Sequence, residues 1–206
     1  MKTQKQKTLE LVQIAMLSAL VVVLQILSAL IPPIGGMVSI TLTLIPVVIG
    51  AILFDKKGGA ILGFVFGLIV MINCITALDP GGNILWNVNP FLTVLLCLLK
   101  GTLAGFVPAV VYSAITKKGT LSTKKKFFST MLSAMLAPIV NTSIFVIGML
   151  LFFNETLTTW ADGKPIILYI LVGLAGINFL IEFIINIILT PAIIRIVDVV
   201  KNKKIH

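Results

Sequence analysis

"NPFLTVLLCLLKGTLAG", residues 89–105, decides how this chain is read. The stretch is apolar enough to cross a bilayer, yet Lys100 stands in its middle. A charged side chain at the centre of a membrane helix costs about 2.5–3.5 kcal/mol on insertion scales. Such a residue needs a counter-group, and an ionisable group inside a span is by default a functional candidate.

The rest of the chain supports a membrane setting. Of its 206 residues 58% are hydrophobic and 11% charged, with a mean hydropathy of +1.14. Soluble domains hold about 45–50% apolar and about 25% charged residues, so the excess apolar surface has to meet lipid. The net charge of +9 does not indicate nucleic acid. Its lysines lie in short tracts beside apolar runs, as topology signals do, and no basic face with interleaved aromatics is present. Cys74 and Cys97 are far apart in sequence without metal-ligand spacing, and read as small buried hydrophobes.

At 1.5 Å per residue a span takes roughly 20 apolar residues. Six fit the chain, at 9–31, 42–54, 59–77, 90–115, 127–153 and 166–197, the second of them short. The predicted architecture is an all-α integral membrane bundle of six transmembrane helices forming a single domain, 1–206. "DKKG" at 55–58 reads as a tight turn; 78–89 and 154–165 read as polar loops. Fourteen of the sixteen lysines and arginines fall at the N-terminus, in the 55–58 turn, in the 116–126 loop or in the tail. All four segments lie on one side of a six-span chain, so the positive-inside rule makes both termini cytoplasmic. The segments 32–41, 78–89 and 154–165 then face out, where Trp86 and Trp160 suit the membrane interface.

Helix spacing gathers the polar residues within the spans. With 100° per residue, Asn89, Thr93 and Lys100 fall on one face. Asn178, Glu182 and Asn186 form a ridge at i, i+4 and i+8, and the fifth span adds Asn141. Lys100 and Glu182 lie at comparable depth, which leaves two readings: a buried ion pair that fixes packing, or a cation facing an outward-opening cavity and meeting an anionic ligand. Glycines at 59, 63 and 67 and at 101 and 105 mark close helix contacts, and Ala15 and Ala19 give the first span a small-residue face. There is no phosphate-binding P-loop, no HExxH and a single histidine, His206, so neither an ATPase, a metal centre nor a hydrolase is expected.

Over nearly its whole length the chain resembles the substrate-binding S components of energy-coupling factor (ECF) vitamin transporters. The resemblance rests on the alanine pair Ala15 and Ala19, on "VSITLTLIPVVIGAILFDKKGGAILGFVFGLI" (38–69), and on "NPFLTVLLCLLKGTLAG" with its basic residue at Lys100. It implies a plasma-membrane protein that binds a small water-soluble vitamin in an extracellular-side pocket. It also implies association with a transmembrane T subunit, through the alanine face, and with two ATPases that supply the energy. Pantothenate is the first expected ligand; niacin, lipoate, folate and riboflavin are alternatives. Lys100 is expected on the carboxylate and Asn89, Thr93, Asn141 and Asn178 on the polar groups. Glu182 is expected beside Lys100 or on a hydroxyl, and Trp86 with the 34–39 loop is expected over the pocket. A structural six-span scaffold and a self-sufficient carrier remain the competing classes. No cofactor is expected.

Overall fold

The computed structural model describes residues 4–29, 42–116, 122–174 and 176–202. Every regular element among them is helical: α1 (Gln4–Ala29), α2 (Leu44–Leu53), α3 (Asp55–Ile75), α4 (Pro80–Val88), α5 (Pro90–Thr116), α6 (Thr123–Phe152), α7 (Asn154–Ala161), α8 (Ile166–Tyr169), α9 (Gly176–Ile188) and α10 (Thr190–Asn202). A π-helical turn, Ile170–Leu174, continues α8. In lipid the backbone has no water to satisfy it, so an apolar chain of this kind closes its hydrogen bonds within helices.

Four helices, α1, α3, α5 and α6, are long and apolar enough to cross a bilayer. The α8 segment and α9 form a fifth crossing if they are taken as one span bent by 43°. The predicted second span is only 10 residues long in α2. That is ~15 Å of helix, about half of the hydrocarbon thickness. Instead of facing lipid, α2 is wrapped by α1, α3, α5, α6 and α10, with Leu44, Val47, Val48 and Ala51 completely buried. Pro46 causes no kink, since it sits in the first turn of α2, where a missing N–H is harmless. Thr43 donates to Gln25 Oε1 at 2.8 Å and so ties the start of α2 to α1.

The "DKKG" stretch is not a loop. It is the first turn of α3, separated from α2 by Phe54 alone, with Asp55 in the left-handed region at φ 57°. Aspartate tolerates that conformation better than most residues. The two polar loops likewise contain helices, α4 and α7. α4 has a readable start: Asp79 caps it by accepting from the Gly82 N–H at 3.2 Å, and Pro80 opens its first turn.

The centre of the bundle is the seam between α3 and α5, which pack more extensively than any other pair. The seam is made of glycine, as the spacing predicts. A Cβ on Gly59 would stand 2.4 Å from Gly105 O, one on Gly63 2.3 Å from Gly101 O, and one on Gly67 2.6 Å from Cys97 O. Without side chains the backbones touch, and dispersion contacts and close carbonyls hold helices that lipid gives no hydrophobic reason to associate. Beyond Gly67 the seam ends in larger residues, Val70, Cys74, Thr93 and Leu96, and a cavity opens among them. At the opposite end an ion pair between Lys126 and Asp198 joins α6 to α10. α1 is the least covered of the four long helices, and Ala15 and Ala19 lie on its exposed side.

Candidate functional site

The cavity beyond the glycine seam collects groups from four helices. α3 supplies Cys74, α5 supplies Thr93, Cys97 and Lys100, α6 supplies Phe145, and the capping residue of α4 supplies Asp79. Its free volume is about 20 Å³, room for about one water molecule.

Lys100 reaches it from mid-span. The side chain is half-buried, and its Nζ lies 4.8 Å from the centroid of the Phe145 ring. The ring face offers negative potential, worth about 0.5–2 kcal/mol to a cation depending on desolvation. Across the cavity is Asp79. Burial raises the pKa of its carboxyl, while hydrogen bonds from the Gly82 and Gly81 N–H groups and the charge of Lys100 oppose the rise. The acid that shares a cavity with Lys100 is thus Asp79, where the sequence pointed to Glu182.

The remaining lining is soft or weakly polar. Cys74 and Cys97 are both buried free thiols, as expected, and their sulfurs stand 3.9 Å apart. Thr93 is 1% exposed and donates to Asn89 O at 2.9 Å, which leaves its oxygen free to accept. The α4 helix closes this end. Asn83 donates to Cys74 O at 2.9 Å, and Gly82 rests on the Cys74 sulfur so closely that a Cβ there would fall 2.3 Å from it.

Of the residues singled out from the sequence, Lys100 and Thr93 meet at this cavity, and the others do not line it. Asn89 is occupied locally: its Oδ1 accepts from the Leu92 N–H at 3.1 Å and caps α5. An asparagine directly before a proline that opens a helix is a capping signal, so this role was readable. Trp86 is half-buried and packs against the main core cluster. Asn141 is buried on α6 one turn from Phe145, on the same face, and its Oδ1 has no hydrogen-bond partner among the described residues.

The ridge Asn178, Glu182 and Asn186 is buried as its spacing implied, on α9, which packs against α6. There Asn186 donates to Glu182 O at 2.7 Å and Thr190 donates to Asn186 O at 3.0 Å. The 34–39 loop expected over the pocket lies outside the described residues.

Sequence reasoning missed Asp79, taken as a loop acid, and Phe145, for which the sequence offers only its place four residues after Asn141. It also missed an open groove of about 920 Å³ between α4 and the α6–α7 junction, whose walls include Val88, Phe152, Glu155, Trp160 and Asp162.

The cavity thus sets one cation and one acid among mostly apolar walls. Comparison with known proteins adds a family. Over 97% of its length the chain is 26% identical to the "Pantothenic acid transporter PanT" of Lactococcus lactis subsp. cremoris (strain MG1363), of which the alignment covers 98%. Residues 11–202 match the family described as "Thiamine transporter protein (Thia_YuaJ)". With its apolar crossings, it is a multi-pass protein of the plasma membrane, and its relatives are transporters, not enzymes. Matched from residue 11 to residue 202, the chain belongs to the thiamine transporter protein family, and the resemblance to vitamin-binding S components holds at that level.

Proposed function

We propose that the protein is the vitamin-binding S component of an ECF transporter and that its ligand is pantothenate. The observation that carries this reading is Lys100, an ammonium held inside the bundle at an enclosed cavity with an aromatic ring, in place of a carboxylate, against it. Pantothenate brings a carboxylate for Lys100, and hydroxyls and an amide for Thr93 and the neighbouring polar groups. The near full-length similarity to a pantothenic acid transporter supports the choice. Asn141, with an unused buried oxygen one turn below Phe145, is the next candidate for a ligand hydroxyl. Asn178 and Glu182 on α9 would contribute only if α6 and α9 part, and Asn89 and Trp86 act by holding α5 and α4 in place.

Six crossings serve this role, with the short α2 counted as one and the bent α8–α9 pair as another. Both termini are cytoplasmic by the lysine distribution, so the cavity lies toward the outside. A cavity of about 20 Å³ is a closed form; pockets for small ligands measure about 300–1,000 Å³. Binding therefore opens it, and α4 is the wall that moves, because it is the shortest helix on the cavity. The groove between α4 and α7 gives the approach. The exposed alanine face of α1 is the surface for the T subunit, and ATP is hydrolysed by two partner ATPases.

A second reading has a specific support. Asp79 in the cavity and Glu155 and Asp162 in the groove suit a cationic vitamin, and the family is described by thiamine. The test is the small molecule that co-purifies with the protein in mild detergent, identified by mass spectrometry, together with competition between pantothenate and thiamine. Pantothenate recovered and not displaced by thiamine supports the first reading; thiamine recovered would replace it with the second.

A further inference from the structure

Resting on the pantothenate reading, we propose that Asp79 couples ligand binding to proton uptake: the ligand's carboxylate takes Lys100, and the Asp79 carboxylate across the same cavity becomes protonated in the occupied site. The geometry that leads there is the sharing of one small cavity by a single cation and a single acid from different elements. Lys100 comes from α5, Asp79 from the start of α4. In the empty protein their charges balance. Adding an anionic ligand leaves two carboxylates and one ammonium in a space walled by Val70, Leu85, Leu96 and Phe145. Two like charges in a poorly solvated site disfavour double ionisation, and the cheapest relief is a proton on one of them.

Asp79 is the group placed to take it. The ligand carboxylate would hold the direct contact with Lys100. Asp79 keeps its Oδ1 on the Gly82 N–H, an acceptor role that a protonated carboxyl also fills. Its other oxygen would then carry the proton and donate to the ligand. Burial already pushes the Asp79 carboxyl toward the protonated form, and Lys100 holds it back. Once the ligand neutralises Lys100, that restraint goes. Among the described residues the titratable groups facing Asp79 are Lys100 and Cys97 on α5 and Cys74 on α3, with none on α4 itself.

The sign follows from linkage. One proton taken up on binding makes affinity rise as pH falls, by up to tenfold per pH unit between the pKa of Asp79 in the free protein and its higher value in the complex. The test is equilibrium binding of pantothenate to the full-length protein in detergent from pH 5.5 to 8, for the wild type and Asp79→Asn. Asparagine caps helices as well as aspartate does, so α4 is kept. The expected result is a wild-type affinity that weakens by about tenfold per unit over at least one unit of rising pH, and an Asp79→Asn affinity that is tight and flat across the range. Pantothenol, with an alcohol in place of the carboxylate, gives a flat profile with both proteins. Pantothenate bound with a pH-independent affinity by the wild type overturns the coupling and leaves the pantothenate reading intact. A slope that survives in Asp79→Asn overturns it as well. Absence of pantothenate binding at every pH overturns both.

Discussion

Lys100 Nζ lies 4.8 Å above the Phe145 ring, so the one cation carried by α5 rests on an aromatic face of α6. This contact, with Asp79 across the cavity, is how the chain tolerates an ammonium at mid-span. It is also a weaker partner than a carboxylate in direct contact, and so one that a ligand can displace.

Replacing Phe145 with leucine keeps an apolar side chain and removes the ring face. Thermal unfolding in detergent is expected to show a ligand-free protein less stable by about 0.5–2 kcal/mol. The added stabilisation by saturating pantothenate should be at least as large as in the wild type. An unchanged unfolding temperature for the ligand-free variant would mean that the ring carries none of the charge.

The α3–α5 seam gives a sharper structural prediction. In Gly63→Ala the new methyl would stand 2.3 Å from Gly101 O, with backbone on the other side that cannot rotate away. The helices must separate, at a cost of about 1–3 kcal/mol for an overpacked site. Pantothenate affinity should fall with it, because the seam sets the register that brings Cys74 opposite Cys97 at the cavity. Unfolding temperature and binding together check this; a variant as stable as the wild type contradicts the close packing.

Ala15 and Ala19 face outward from α1 and touch neither the cavity nor the core. Ala15→Leu with Ala19→Leu is expected to leave stability within about 0.5 kcal/mol, as for surface changes generally, and binding unchanged. Uptake in cells that also make the T subunit and the ATPases should be lost. Full uptake by the double variant would remove that face from the partner interface.

The long crossings were legible because their apolar runs exceed the bilayer, and the glycine seam because its spacing of four repeats on both helices. The joint at Phe54–Asp55 was not: "DKKG" has the composition of a turn, and only the left-handed Asp55 allows a helix to restart there at once. The burial of α2 among five other helices is a tertiary fact that its apolar run does not announce. At the site, Lys100 and Thr93 could be joined by the 100° rule because they share one helix. Asp79 and Phe145 come from other elements, and no periodicity links them to Lys100. Glu182 was matched to Lys100 by depth alone, and depth does not say which residues line one cavity; Asp79 lines it and Glu182 does not. Asn89 shows the opposite error, where a local capping signal was passed over for a distant partner.

The central claim is that Lys100 receives a ligand carboxylate, and equilibrium binding of pantothenate to wild type and Lys100→Met tests it most directly. Methionine matches the stem of lysine and removes a charge whose insertion costs about 2.5–3.5 kcal/mol, which offsets the lost contact with Phe145, and thermal unfolding checks that the variant is folded. Loss of a charge-assisted hydrogen bond in such a site is worth several kcal/mol. The account predicts an affinity at least about 100-fold weaker in Lys100→Met, with Lys100→Arg in between. Wild-type affinity in a folded Lys100→Met protein would contradict it.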